Sequence, residues 1–158
     1  MFNTYEDTLQ FLYDNLPMFQ RIGAAALKND LSNTWKLCEL LDNPQKKFRS
    51  IHVAGTNGKG STSHMLASVL QSSGYRTGLY TSPHLKDFCE RIRVDGKEID
   101  KDYVVHFVNR LRPAIEQIKP SFFEITAALA FEYFATLHVD IAVVEVGLGG
   151  RLDSTNVI

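Results

Sequence analysis

Lys59 stands between Gly58 and Gly60 in the run IHVAGTNGKGST, Ile51–Thr62, and is followed by the hydroxyls of Ser61 and Thr62. An ammonium group, small residues and two hydroxyls in this order are suited to holding phosphate. Glycines at 55, 58 and 60 let successive backbone N–H groups turn into one concavity, which attracts an anion. A helix opening at the same point adds the positive end of its dipole, and Ser61 or Thr62 offers an oxygen to Mg²⁺. The run departs from the general pattern G-x-x-x-x-G-K-[ST]: Val53 stands where the first glycine belongs, and Gly60 separates Lys59 from the hydroxyls. The plainer alternative is a turn that only joins a strand to a helix. An apolar strand before it and a helical pattern after it favour the phosphate loop.

Glu145 is the second candidate. It interrupts IAVVEV, an almost continuous apolar run of strand length. A carboxylate there is costly to bury without a cation, and Mg²⁺ beside phosphates is the natural partner; an ion pair with Arg151 is the alternative. Ser82 and His84, in TSPHLKDFCERI, are weaker signals, since a Ser-Pro-His turn is often only a turn. Phe122 and Phe123 could wall a flat heterocycle or simply belong to the core. Asp153 could hydrogen-bond a ring or hold Arg151. His52, His64, His106 and His138 read as structural.

The elements that must position these groups follow from periodicity. Tyr5, Leu9, Leu12, Tyr13 and Leu16 share one helical stripe, and Trp35, Leu37, Cys38, Leu40 and Leu41 supply a second helix with Asp30 or Ser32 as its cap. FQRIGAAALKNDLSN between them reads as loop plus short helix. A strand is expected at 48–54, then a helix with the stripe Met65, Leu66, Val69 and Leu70 stopped by Gly74, then a strand at 76–80. Strand, helix and strand of these lengths make a right-handed parallel unit, so both strands end on the same side of the sheet. Arg91–Val94 and Lys97–Ile99, joined by Asp95-Gly96, read as a small hairpin. Asp100 or Asp102 caps a helix carrying Tyr103, Val104, Phe107, Val108, Leu111, Ile115 and Ile118, which Pro113 should kink or split and Pro120 should end. Ser121-Phe122-Phe123-Glu124 leads into a buried helix, and the strand at 141–146 is covered on both faces.

The fold class is therefore α/β, a P-loop-type, mostly parallel sheet flanked by helices, with a helical leader over 1–47 and a nucleotide-binding unit from 48 to 158. At 158 residues with an apolar share of 44% the chain suits one domain, and a net charge of −1 without basic runs argues against nucleic acid or a membrane surface as partner. The acidic N-terminus and the lack of a membrane-length apolar run read as cytoplasmic. Cys38 and Cys89 lack metal-type spacing and read as reduced thiols. The end, VEVGLGGRLDSTNVI, passes from a buried strand into a glycine-rich loop and stops, as a truncated domain would.

HVAGTNGKGST, GLYTSPHLKDFCERI, FFEITAALAFEYFA and VVEVGLGGRLDSTN, in this order and spacing, resemble the N-terminal part of the folylpolyglutamate synthase and dihydrofolate synthase family, of the Mur ligase superfamily. The segment before the phosphate loop resembles that family's leader too, and Gly60 is a family mark. The resemblance implies the N-terminal part of a Mur-ligase-like ATPase domain that uses ATP and Mg²⁺. It implies phosphorylation of a carboxylate of dihydropteroate or a reduced folate, and attack of L-glutamate on the acyl phosphate. By similarity Thr56, Asn57, Gly58, Lys59, Gly60 and Ser61 hold ATP. Ser82 and Glu145 match metal-binding positions, with Lys59 and Glu145 serving catalysis. Ser82, His84, Ser121, Phe122, Phe123 and Glu124 match the pteroate site, as do Leu152, Asp153 and Ser154. The further metal ligands and the glutamate site would lie beyond Ile158. The chain alone is thus expected to be inactive, and it could self-associate through an exposed sheet edge, whereas its parent would be monomeric. The rival readings are another Mur-superfamily amide ligase acting on a cell-wall precursor, and a nucleotide-binding module without turnover.

Overall fold

The computed structural model describes residues 1–18, 21, 23 and 30–158. In chain order the elements are α1 (Tyr5–Asn15), α2 (Ser32–Leu40), β1 (Arg49–Val53), α3 (Lys59–Ser72), β2 (Thr77–Tyr80), β3 (Ile92–Val94), β4 (Lys97–Glu98), α4 (Lys101–Ile118), α5 (Phe122–Thr136) and β5 (Ile141–Glu145). Short 3₁₀ turns lie at Pro44–Lys46 and Phe88–Arg91. Most of the segment expected to hold a loop and short helix between α1 and α2 lies outside the described residues.

The sheet runs β1-β5-β2-β3-β4. β5 pairs in parallel with β1, Val53 opposite Glu145, and with β2, Tyr80 opposite Val144. β3 joins β2 antiparallel and carries β4 as the second arm of a hairpin. The α/β architecture and the flanking helices are as expected, with an antiparallel hairpin added at one side. β1 and β2 point the same way but are not neighbours, because β5 lies between them. β5 is buried along almost its whole length, and a strand apolar on both faces is most stable in the middle of a sheet.

Alternation along the strands divides the core. Leu79 and Val143 pack with Ala67 beneath α3, and Tyr80, Ala142 and Val144 face the opposite side, under α5. The stripe of α3 differs from the expected one. Ser63 and Ala67 are buried and Leu66 and Leu70 pack on the sheet, while Met65 and Val69 are exposed. Positions 63, 66, 67 and 70 are one helix face, and small residues on it let α3 approach the sheet closely. α3 ends as expected: the N–H of Gly74 donates to the carbonyl of Gln71 and that of Tyr75 to Leu70, which satisfies two terminal carbonyls.

α1 packs against α4, and α2 against α5. Residues of both leading helices, Leu12, Leu16, Leu37 and Cys38 among them, therefore share a core with Phe107 and Phe131. In α2 only part of the expected apolar set is buried; Trp35 and Leu40 stay exposed. Its N-terminus is served by Asp30, whose Oδ1 accepts from the Ser32 N–H at 2.8 Å. Asp100 caps α4 through the N–H of Asp102. Pro113 does not split α4, which runs unbroken to Ile118. It sits on the exposed side, where water can meet the carbonyl that proline leaves without a donor. Among the described residues no helix is long and apolar enough to cross a membrane.

Candidate active site

The parallel strands deliver three loops to one edge of the sheet. After β1 the backbone turns at Gly58, with φ +77°, and α3 begins at Lys59. A positive φ at this point is open to glycine at little cost. The Lys59 ammonium folds back and donates to the carbonyl of Gly55 at 2.9 Å. Gly60 faces the end of β5: a Cβ there would stand 3.5 Å from Oε1 of Glu145. From the loop after β2, the Ser82 N–H donates to Oε2 of the same carboxylate at 2.8 Å. Glu145 thus meets the phosphate loop and the Ser82 loop together, at only 4% exposure.

The residues expected to hold a metal fit a hard cation in donor type. Oε1 of Glu145 and Oγ of Ser82 take no hydrogen bond among the described residues, and both are oxygen donors of the kind Mg²⁺ prefers. No cluster of three or more Asp, Glu, His or Cys residues that could hold a metal forms among the described residues.

Beside this corner opens a cavity of about 300 Å³. Lys59 and Ser82 line one part of it, and Ser121, Phe122, Phe123 and Glu124 another. Leu152, Asp153 and Ser154 complete the wall from the glycine-rich loop. These candidates are thereby brought together, whereas His84 and Glu145 are not part of the wall. Thr56, Asn57, Gly58, Gly60 and Ser61 stay on the phosphate loop or the first turn of α3, outside the cavity wall.

Local chemistry explains the wall. Ser121 and Glu124 form a capping box: Oγ of Ser121 accepts from the Glu124 N–H at 3.1 Å, and Oε2 of Glu124 accepts from the Ser121 N–H at 2.6 Å. This satisfies two amide donors at the start of α5. Glu124, expected as a substrate group, is therefore also the cap that orients Phe122 and Phe123. Asp153 does not hold Arg151. Its Oδ2 accepts from the Leu148 N–H at 2.8 Å and its Oδ1 from the N–H and hydroxyl of Thr155. Thr155 in turn meets Nε2 of His52 at 2.8 Å, and burial lowers the pKa of that imidazole. Gly147 lies between Phe123 and Asp153; a Cβ there would come within 2.6 Å of the Phe123 ring. Arg151 forms no ion pair among the described residues with Glu145 or Asp153.

The loop between Ser82 and β3 is held by carboxylates. Glu90 accepts the N–H groups of Leu85, Lys86 and Asp87 at 2.8–2.9 Å, and those amides hold its carboxyl down to about 2. Asp87 accepts from the Tyr5 hydroxyl at 2.7 Å, tying the loop to α1. Cys38 and Cys89 are free and buried, and burial pushes both thiols up to about 11, where little reactive thiolate forms.

Arg91 is a wall residue that sequence reasoning missed. It is 3% exposed, lines the cavity, and lies over the Phe122 ring at 5.3 Å. Its Nε donates to Nδ1 of His84 at 2.7 Å. Burial, and then the neighbouring guanidinium, lower the His84 pKa, in keeping with an imidazole that accepts through Nδ1. His84 itself stands behind Arg91 instead of in the wall. In the sequence Arg91 looks like the first residue of a hairpin, and no spacing marks it.

No family model matches the chain. The dihydrofolate synthase/folylpolyglutamate synthase of Bacillus subtilis is 41% identical to it across 100% of this chain and 37% of its own length. The folylpolyglutamate synthase of Lacticaseibacillus casei is 40% identical across 98% of this chain and 36% of its own. A crystal structure of the Thermotoga maritima folylpolyglutamate synthase superposes with a TM-score of 0.86 at 42% identity, over 98% of this chain and 35% of that one. The chain belongs to the folylpolyglutamate synthase/dihydrofolate synthase family. It spans little more than a third of the length of these members of the family. A folylpolyglutamate synthase solved with AMPPCP and folate matches it at a TM-score of 0.87 and 40% identity, over 98% of this chain and 38% of that one. Nucleotide and folate are thus ligands of a close structural relative in this family.

Proposed function

We propose that this chain supplies the nucleotide cradle and the pteroate-side wall of an ATP-dependent ligase that adds L-glutamate to dihydropteroate, to reduced folates, or to both. The observation that carries the reading is one cavity lined by Lys59 and Ser82, beside Glu145, and walled by Phe122, Phe123 and Asp153. A flat heterocycle suits the aromatic part, while its carboxylate tail reaches the phosphate corner.

In this reading Thr56, Asn57, Gly58, Lys59, Gly60 and Ser61 hold the triphosphate, which displaces the Lys59 ammonium from the Gly55 carbonyl. The substrate carboxylate attacks the γ-phosphorus, the bond to the bridging oxygen breaks, and ADP leaves. The glutamate amine then attacks the acyl carbon, expelling phosphate and leaving an amide. Anion attacking anion requires positive charge, which Lys59 provides along the transferring group. Glu145 and Ser82 would hold Mg²⁺, which supplies further charge neutralisation. Ser121, Phe122, Phe123, Glu124, Leu152, Asp153 and Ser154 position the pteroate, and His84 supports the wall through Arg91.

Residues 1–47 serve as leader and 48–158 as the N-terminal part of the ATP-binding domain of a cytoplasmic, monomeric enzyme without a nucleic-acid or membrane partner. Residues 1–158 alone bind ligands but do not ligate. Their open β1 edge pairs with a second copy, as unpaired edges tend to. The decisive experiment compares a chain of the relatives' length with residues 1–158, measuring glutamate-dependent ADP release with dihydropteroate and with tetrahydrofolate. Release by the long chain alone supports the reading. Release by residues 1–158 overturns the expected inactivity, and none by the long chain overturns the ligase assignment.

A further inference from the structure

Arg91 is a buried cation in the cavity wall. Its Nε is spent on His84, one face lies on Phe122, and no ion pair among the described residues includes it. Its two terminal nitrogens meet no acceptor among those residues, although the side chain is 97% buried and belongs to the cavity wall. These nitrogens are not among the fully buried polar atoms without a partner, so the little exposure that Arg91 keeps is where a water or a ligand in the cavity can complete its donors. None of the carboxylates at or beside the cavity bonds Arg91 among the described residues: Asp153 accepts from Leu148 and Thr155, Glu145 accepts from Ser82 through Oε2, and Asp30 accepts from Ser32. Glu124 is engaged by its own helix terminus.

We propose that Arg91 is a specificity-determining residue of the pteroate site, donating from its terminal guanidinium nitrogens to an acceptor oxygen of the bound ligand. The inference rests on the pteroate-binding reading and deepens it. Contact with the Phe122 ring holds the guanidinium against the aromatic wall, and the bond to His84 restrains its rotation. A flat ligand sliding along Phe122 and Phe123 then presents an oxygen-bearing edge to two preset N–H groups. Two oxygens of such a ligand could take this role, the carbonyl of the heterocycle and the carboxylate of the benzoate end.

The test is equilibrium binding of pteroate, of its ring-deoxy analogue lacking the carbonyl oxygen, and of its descarboxy analogue lacking the benzoate carboxylate, to residues 1–158 and to the variants Arg91→Lys and Arg91→Gln. Lysine keeps the charge and loses the fork; glutamine keeps a donor and loses the charge. ATP binding and the thermal midpoint report whether each variant is folded. Loss of a charged hydrogen bond should weaken pteroate roughly 10- to 100-fold, with ATP affinity unchanged. The analogue that lacks the contacted oxygen should bind wild type and variants alike, and which analogue does so names the acceptor. If folded variants lose the same factor for all three ligands, or lose less than threefold for pteroate, Arg91 is only a structural cation and the inference fails. If wild type binds ATP but none of the three ligands, the pteroate reading itself fails.

Discussion

The Ser82 N–H donates to Oε2 of Glu145 at 2.8 Å, which ties the loop after β2 to the end of β5 beside the phosphate loop. One carboxylate oxygen is thereby spent on structure, and the other is left facing Gly60. Glu145→Gln preserves an acceptor for Ser82 and removes the charge. The variant should fold with a thermal midpoint close to wild type. Its affinity for an ATP analogue should lose most of its Mg²⁺ dependence, a drop of roughly tenfold or more at saturating Mg²⁺. Calorimetric titration with and without the ion measures it, and unchanged Mg²⁺ dependence would remove Glu145 from the metal role.

Gly147 allows Phe123 to lie against the backbone of the glycine-rich loop. A methyl at this position would meet the ring at 2.6 Å, so the ring, which lines the cavity, must shift. Gly147→Ala should destabilise the fold by about 1–3 kcal/mol, the usual cost of overpacking, and should weaken pteroate binding more than ATP binding. Urea unfolding and the two titrations separate these effects.

The capping box at the start of α5 holds two cavity residues in place. Ser121→Ala should cost about 1 kcal/mol, as N-cap removal commonly does. Combined with Glu124→Ala it should cost less than the sum of the single changes, because each side chain bonds the backbone N–H of the other residue. A double-mutant cycle in urea gives the coupling, and strict additivity would contradict the box.

Glu90 makes stability depend on acid. Its carboxyl is held at about 2 by the amides of Asp87, Leu85 and Lys86, against an ordinary 4.5. The folded state therefore prefers the ionised form. That contribution is complete above about pH 4.5 and is lost as pH falls toward 2. The thermal midpoint of wild type should fall more steeply across this window than that of Glu90→Gln. Parallel slopes would show that the loop does not depend on this charge.

Much of the fold was legible because its signals are local. The stripe of α1, the Asp95-Gly96 hairpin, the cap at Asp100 and the stop at Gly74 each depend on residues within a few positions of one another. Errors arose where a third partner decides the outcome. Met65 and Val69 look as buried as Leu66 and Leu70 until the sheet selects which face of α3 it takes. Trp35 and Leu40 fail in the same way on α2, and Pro113 proved harmless because its side of α4 faces water.

The sequence by itself determined the phosphate loop, the solitary carboxylate at 145 and the aromatic start of α5, since each is a short arrangement of residue types whose chemistry needs no distant neighbour. Only the tertiary structure decided that β5 enters between β1 and β2. That insertion brings Glu145 against both Gly60 and Ser82. Tertiary packing also moved Arg91 from an apparent hairpin residue into the cavity wall and left His84 behind it. These placements depend on contacts between segments far apart in the chain, and no local pattern encodes them.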